Sequence, residues 1–300
     1  MIVAAVDIGT NSVRLLIRDE RGTQLERHMQ ITRLGQGVDV SGALHPEAIE
    51  RTAQVLTEYG ALIRKHHAER VRAAATSAAR DAKNSAEFFE RAAAALGTRP
   101  ELLSGEEEAR LSFLGATSDL DRALGPFLVV DIGGGSSEFV LGHDAPEALI
   151  SIDMGCVRMA ERYLHSDPAS PPELGSLVAE VTSQLGRVRT AIPIERARSV
   201  IGLAGTITAI AALQLGLRRY DAATTHHARL TREQIEAQFE QLAAADLPTR
   251  RTLLAEPKRA EVIVAGAAIL VTLLREFRIS ELTVSESDIL DGLAASLLPS

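Results

Sequence analysis

Val6-Asp7-Ile8-Gly9-Thr10-Asn11-Ser12 and Val130-Asp131-Ile132-Gly133-Gly134-Gly135-Ser136-Ser137 are two versions of one segment, and their repetition decides the fold. Each is preceded by apolar residues and runs into a second apolar stretch, Val13 to Ile17 in the first copy and Phe139-Val140-Leu141 in the second. Both therefore read as strand, glycine turn, strand. A glycine-rich turn lets several backbone N–H groups converge on one anion without a side chain in the way, and phosphate oxygens fit such a nest. An ionised aspartate only accepts hydrogen bonds and repels phosphate, so Asp7 and Asp131 are useful there as holders of Mg²⁺ or Mn²⁺. Thr10, Asn11 and Ser12 in one turn, and Gly133, Gly134, Gly135, Ser136 and Ser137 in the other, are the phosphate-binding candidates. Neither copy has the lysine of a Walker P-loop, and both lead into strands instead of helices.

A single Asp-Ile-Gly is a common strand-end turn with no chemistry attached. Two copies 124 positions apart (Asp7 to Asp131), each opening one half of the chain, point to duplication of a whole domain. Outward from the first copy, strands are predicted at Thr23–Thr32, Val71–Thr76 and Glu101–Leu103, with helices from Pro46 to about His67, near Ser85–Leu96 and from Gly105 to about Thr117. The second half repeats the plan. Strands are read around Phe127–Asp131, Glu138–Gly142, Ala148–Asp153, Ser199–Leu203 and Glu281–Ser285, and helices near Cys156–Leu164, Pro172–Thr190, Ile207–Leu215, Arg232–Ala245, Pro257–Phe277 and Ile289–Leu298. Three antiparallel strands followed by alternating helix and strand, twice, give an α/β chain of two duplicated mixed domains with a cleft between them. The expected division is 1–121 and 122–300, Asp119–Pro126 forming the hinge and a helix over 287–300 packing back on the first domain.

With 300 residues, 46% of them hydrophobic, each domain can bury its own core. One cysteine, Cys156, excludes an intrachain disulfide, and the N-terminus opens on strand-like residues without a charged leader, so the expected compartment is the cytoplasm. Apolar stretches such as Val262–Leu274 are shorter than the ~20 residues a membrane span needs; that stretch reads as a core element or as the face of a homodimer. A net charge of −8 with 3% aromatic residues argues against nucleic-acid binding. It does not exclude a phosphate ligand, because fields are screened over roughly 8 Å and a few arginines with metal ions make a local positive site.

The order of motifs resembles the exopolyphosphatase and guanosine pentaphosphate phosphohydrolase family. This family has ribonuclease H-like domains and belongs to the acetate kinase, sugar kinase, Hsp70 and actin superfamily. The resemblance covers nearly the whole chain: the two turns, Ala75-Thr76-Ser77-Ala78-Ala79-Arg80-Asp81-Ala82-Lys83-Asn84, Ser104-Gly105-Glu106-Glu107-Glu108-Ala109-Arg110, Gly202-Leu203-Ala204-Gly205-Thr206, and Ser285 to Gly292. It implies Mg²⁺-dependent release of terminal phosphate from inorganic polyphosphate, with guanosine pentaphosphate hydrolysis, or a non-catalytic sensor of guanosine tetra- and pentaphosphate, as the alternative. Longer relatives carry an additional helical module resembling an HD domain. None fits within these 300 residues, so short chains and low processivity are expected.

Ser104 and Glu107 read as a capping box, and acidic residues in a first helical turn favour the dipole by roughly 0.3–1 kcal/mol. Capping leaves Glu108 without a task. By resemblance, the glutamate before Ala-Arg activates the attacking water, which makes Glu108 the catalytic candidate. Arg80, beside Asp81 and Asn84, reads by itself as a surface cluster whose pairs contribute at most about 1 kcal/mol; the resemblance places it on the phosphate channel, where a guanidinium grips two oxygens. Arg110 reads as an ion-pair partner on its helix. Glu138 joins the metal group by resemblance, against the plain reading of a solvated strand residue. Gly205 and Thr206 end a strand and open a helix, an ordinary turn that also offers N–H groups to an anion, with Ala204 standing where a second glycine is common. His226 and His227 lack a neighbouring acidic cluster in sequence and read as surface or substrate-edge residues.

Overall fold

The structure is a computed structural model in which residues 1–298 are described; Pro299 and Ser300, the end of the expected 287–300 helix, lie outside them. Among the described residues the strands are β1 (Ile2–Ile8), β2 (Ser12–Asp19), β3 (Gln24–Ile31), β4 (Arg70–Ala75), β5 (Glu101–Leu102), β6 (Phe127–Ile132), β7 (Ser137–Gly142), β8 (Pro146–Ile152), β9 (Ser199–Leu203), β10 (Arg229–Thr231) and β11 (Glu281–Val284). They form two sheets of order β3-β2-β1-β4-β5 and β8-β7-β6-β9-β11-β10. In each, a three-stranded antiparallel meander is extended by parallel strands from its first member. The mixed α/β plan expected from the repeat, ribonuclease H-like as the resemblance implies, is thus present in both halves, β10 being an edge addition to the second copy.

The chain divides into two compact units, 1–115 with Asp288 onward, and 116–287. The break falls at 115/116 where 121/122 was expected, so Asp119–Pro126 lies wholly in the second unit; the last helix, Ile289–Ala295, belongs to the first, the side on which the sequence reading puts it. The reason is a close backbone approach that composition does not announce. A Cβ on Gly115 would fall 1.8 Å from the Asp288 carbonyl oxygen, and one on Gly292 would fall 2.2 Å from that of Leu111, so helix Gly105–Ala116 and helix Ile289–Ala295 touch main chain to main chain.

In the first unit the pleat sends alternate residues to opposite faces. Ala4, Val6, Ile8, Val13, Leu15 and Ile17 pack under helices Pro46–Lys65 and Ser85–Leu96, while Ala5 and Leu16 pack with Leu111, Ile289, Leu290 and Leu293 on the other face. In the second unit Leu128, Val130, Ile132, Phe139 and Leu141 share a core with helices Pro171–Ala191 and Ile263–Glu276. Every residue from Ile263 to Leu274 is buried there, so this apolar stretch is spent on the core of its own unit. The long helix expected from Pro257 begins only at Ile263, after a single 3₁₀ turn at Pro257–Arg259. The final helix ends at Ala295, short of Leu298. Helix Ser77–Asp81, helix Leu247–Leu253 and strand β10 are too short to show a periodicity and were not expected.

Candidate active site

The two glycine turns have the same geometry. The N–H of Gly9 donates to the Ser12 carbonyl at 2.9 Å, and that of Gly133 to the Ser136 carbonyl at 3.0 Å. A Cβ at either glycine would lie 3.1 Å from the accepting oxygen, closer than an ordinary contact. What makes these turns anion nests is where their other carbonyls go. In the first, the Thr10 oxygen accepts from Gly35 and the Asn11 oxygen accepts from Thr32 and Arg33. In the second, the Gly133 oxygen accepts from Cys156, the Gly134 oxygen from Val157 and Arg158, and the Gly135 oxygen from the Arg158 side chain at 2.8 Å. With the acceptors used up, the donors remain. Among the described residues no acceptor meets the N–H groups of Thr10 and Asn11, or those of Gly134, Gly135 and Ser136. Ser137 instead donates its hydroxyl to the Met154 carbonyl, which ties the second turn down.

The aspartates differ in their partners. Asp7 faces Arg14 across the β1–β2 pair, whereas Asp131 faces Glu138 across β6–β7, so the same register position holds a cation in one copy and a carboxylate in the other. Arg14 donates through Nε and Nη2 to Asp7 Oδ2 at 3.0 and 2.7 Å and through Nη1 to Asp288 Oδ2. Burial raises the carboxyl pKa of Asp7 above the usual range, and Arg14 pulls against that shift. Glu138 is 1% exposed, which removes the solvated-strand reading, and accepts from the Ser151 hydroxyl at 2.7 Å. Asp131 and Glu138 are buried oxygen donors on neighbouring strands, a set that suits a hard divalent cation.

Arg80 closes helix Ser77–Asp81 after β4. Its Nη1 donates to the Leu103 carbonyl at 2.9 Å and approaches Glu108 Oε2 at 3.4 Å. Ser104 and Glu107 form the expected reciprocal cap, at 3.2 Å in each direction. Of the three glutamates, 106 and 107 are exposed, while the Glu108 side chain is only 13% exposed. Arg110 is exposed and makes no ion pair among the described residues, although Glu106 and Glu107 precede it at i,i+4 and i,i+3 spacing on the same helix; a solvated pair of this kind gains too little to hold two long side chains together. Asp7, Thr10, Asn11, Ser12, Arg80 and Glu108 thus belong to the first unit, and Asp131, Gly133–Ser137, Glu138, Gly205 and Thr206 to the second.

At the turn after β9 the structure adds a residue that sequence reasoning missed. A Cβ on Gly205 would fall 1.9 Å from Nη1 of Arg259, so the glycine is there to admit a guanidinium. Arg259 is 12% exposed and spends its Nε on Glu256 at 2.6 Å. Helix Ala204–Gln214 starts three residues earlier than expected, and Ala204 adopts a left-handed φ of 67°. That conformation costs an L-residue roughly 1–2 kcal/mol. Ala204→Gly is therefore expected to raise unfolding stability by about 1 kcal/mol in a denaturant titration; a loss would mean that its methyl packs usefully. Asp288 and Arg14 also went unnoticed, although the seven-residue offset of Arg14 from Asp7 across a tight turn signals the pairing.

Asp119, His226 and His227 form the one group of three metal-type side chains among the described residues. Nε2 of His226 lies 2.8 Å from Asp119 Oδ2, and its Nδ1 accepts the backbone N–H of Glu286 at 3.1 Å. A ring that accepts at Nδ1 keeps its proton on Nε2, so this contact is a hydrogen bond tying three segments together. Sequence spacing could not supply Asp119, which is more than a hundred residues away.

The sequence profile of the Ppx/GppA phosphatase family matches residues 16–300. The chain belongs to this family. It is 46% identical over 312 residues to Exopolyphosphatase 2 of Mycobacterium tuberculosis, with 98% of each chain covered. It is 27% identical to the guanosine-5'-triphosphate,3'-diphosphate pyrophosphatase of Pseudoalteromonas translucida, covering 99% of this chain and 59% of that one. Among solved structures, an exopolyphosphatase-like protein superposes with a TM-score of 0.95 at 35% identity, with 98% of each chain covered. The Aquifex aeolicus Ppx/GppA family member superposes at 0.82, again at 35% identity, over 99% of this chain and 97% of that one. No helix of the described residues is long and apolar enough to cross a membrane.

Proposed function

We propose that this Ppx/GppA family member is an exopolyphosphatase that releases the terminal phosphate of inorganic polyphosphate, with Glu108 as the base for the attacking water. The observation that carries the reading is the placement of Glu108: alone of three consecutive glutamates it is withdrawn from solvent and set against a guanidinium, that of Arg80, at 3.4 Å. Glu107 is used for capping and Glu106 is exposed, so neither competes for the role.

Phosphoanhydride hydrolysis needs an oriented water, a group to take its proton, and cations for the charge spread over the phosphoryl oxygens. Glu108 takes a proton from water as the water oxygen bonds to the terminal phosphorus. The bridging P–O bond breaks, and inorganic phosphate leaves with a polyphosphate shorter by one unit. Arg80 offers further N–H donors to the phosphoryl oxygens beyond the one held by Leu103. The open amides of Thr10 and Asn11, with Ser12, bind phosphate, as do those of Gly134, Gly135 and Ser136, with Gly133 and Ser137 shaping the turn and Gly205, Thr206 and Arg259 beside it. Mg²⁺, or Mn²⁺, would be held by Asp131 and Glu138 and would supply charge neutralisation. Asp7 would contribute less to a metal, because Arg14 already holds one of its oxygens.

The polyphosphate substrate is supported by the 46% identity to an exopolyphosphatase, and guanosine pentaphosphate as a second substrate by the more distant pyrophosphatase. A preference for short chains and a cytoplasmic location complete the reading. Phosphate release should be measured from polyphosphates of defined length, guanosine pentaphosphate and ATP, with Mg²⁺ or with a chelator. Release from polyphosphate that stops on chelation is expected. Tight binding of guanosine tetra- or pentaphosphate without any release would replace the enzyme by a sensor.

A further inference from the structure

Three buried hydroxyls at the rim of the first sheet, those of Thr10, Thr32 and Ser77, have no hydrogen-bond partner among the described residues; Thr32 lies beside the turn, its N–H on the Asn11 carbonyl, but is not one of the groups the hydrolase reading uses. Ser77 is 2% exposed and Thr10 is 7% exposed, and neither Oγ of Ser77 nor Oγ1 of Thr10 has a hydrogen-bond partner among the described residues. A buried hydroxyl left unsatisfied costs about 1–3 kcal/mol. An alanine or valine would avoid that cost unless something outside the chain accepts the hydrogen bond.

The position of Ser77 says what that something is. Thr76 donates its N–H to the Ile8 carbonyl at 3.2 Å, and Leu103 donates to the Ala75 carbonyl at 3.0 Å. The Ala75–Ser77 corner is therefore wedged between the end of β1, which runs into the Gly9–Ser12 turn, and the end of β5, which runs into the helix carrying Glu108. A Cβ on Gly35 would fall 2.3 Å from Thr10 Cγ2 and 3.1 Å from the Ala78 Cβ, so Thr10 and the residue after Ser77 close around the same glycine. Three residues after Ser77, Arg80 reaches Glu108. The orphaned hydroxyls of Thr10 and Ser77 thus stand among the groups that the hydrolase reading uses, at the end of the sheet where the open amides of Thr10 and Asn11 also lie. Another orphaned hydroxyl, Thr52, makes the contrast: it is fully buried on helix Pro46–Lys65 and is not among the groups the hydrolase reading uses.

We infer that the Ser77 hydroxyl is a substrate-binding donor for a phosphoryl oxygen of the polyphosphate, acting beside Thr10. This deepens the hydrolase reading and rests on it. A hydroxyl fits this place because it donates one hydrogen bond to a phosphoryl oxygen without adding a second cation near the Arg80–Glu108 pair, whereas a carboxylate would repel the phosphate.

The test compares wild type, Ser77→Ala, Thr10→Val and, as a control outside the site, Thr52→Ala. It reads KM and kcat for phosphate release from tripolyphosphate, tripolyphosphate binding by calorimetry, and Tm. Loss of a hydrogen bond to a charged group corresponds to a decrease of roughly 10- to 100-fold. Ser77→Ala should show it in kcat/KM and in calorimetric affinity, while its Tm holds or rises because an unsatisfied hydroxyl has gone. Thr52→Ala should leave kinetics and binding unchanged. If Ser77→Ala raises Tm but leaves both affinity and kcat/KM at the wild-type level, the hydroxyl is simply unsatisfied and the inference is overturned. Wild type that binds tripolyphosphate without hydrolysing it would remove the enzyme reading yet leave Ser77 to be judged by affinity; wild type that does not bind it would overturn both. Should Ser77→Ala fail to fold, Ser77→Cys, of similar size with a far weaker donor, carries the same comparison.

Discussion

Glu108→Gln is expected to fold as wild type does and to release phosphate 10²- to 10⁴-fold more slowly, roughly the span general-base catalysis contributes. The amide keeps the size of the side chain and can still accept from Arg80, so packing on helix Gly105–Ala116 is preserved. It cannot take a proton from water. The effect should therefore fall on kcat, with KM for polyphosphate changed by less than about threefold, because the turn amides and Arg80 remain. Glu107→Gln is the companion measurement. Glu107 caps its helix through the Ser104 N–H and hydroxyl, so losing its charge should cost about 0.5–1 kcal/mol of stability and little turnover. Wild-type turnover in Glu108→Gln, or equal losses in the two variants, would return Glu108 to the helix dipole and leave the hydrolase without a base.

Arg14→Ala carries the largest stability effect. Arg14 is the cation between two nearly buried carboxylates, Asp7 and Asp288, with side-chain exposures of 5% and 6%. Removing one partner of a buried pair leaves uncompensated charge, at about 3–5 kcal/mol. Because Arg14 itself is 21% exposed and water can enter, the lower end, about 3 kcal/mol, is the expected loss in denaturant unfolding. The pH dependence gives the loss a signature. Burial already holds the Asp7 carboxyl above its usual range against the pull of Arg14, so the shift grows when the guanidinium is gone. A carboxyl with a raised folded-state pKa favours the folded state at low pH, and this contribution is lost as pH rises through the raised value. The deficit of Arg14→Ala relative to wild type should then be smallest near pH 4 to 5 and largest near pH 8. A deficit that is flat with pH would assign the loss to packing of the arginine stem. Asp288 begins helix Ile289–Ala295, whose Gly292 lies against Leu111 of the helix bearing Glu108. Loosening that contact predicts some loss of turnover together with the stability.

The sequence was most legible where chemistry repeats. The 124-residue offset that relates Asp7 to Asp131 also relates Gly9 to Gly133 and Ser12 to Ser136, and the structure shows the same Gly-to-Ser hydrogen bond in both turns. The capping box at Ser104 and the helix Ser85–Leu96 were readable for the same reason: caps and amphipathic periods are local rules, written within a few residues. The position of the break between the units, 115/116 and not 121/122, was not readable, since it depends on Gly115 and Gly292, whose missing side chains matter only once two distant helices meet. Arg110 shows the converse error: its i,i+3 and i,i+4 spacing to Glu107 and Glu106 permits an ion pair, but exposed side chains gain too little from one to be held in it.

By itself, then, the sequence determined that the chain is a duplicated α/β protein, that each half opens on a glycine turn able to hold an anion, and that one of three glutamates is left over from capping. Those properties follow from backbone conformation and hydrogen bonding over short spans. Only the tertiary structure decided which polar groups face one another: Arg14 across from Asp7 but Glu138 across from Asp131, Asp288 brought onto Arg14, Arg259 laid against Gly205, and Ser77 buried with no hydrogen-bond partner for its hydroxyl among the described residues. Pairings of that kind are set by strand register and by burial. Both are fixed only when segments far apart in the chain pack together and leave each polar group either satisfied or open to a ligand.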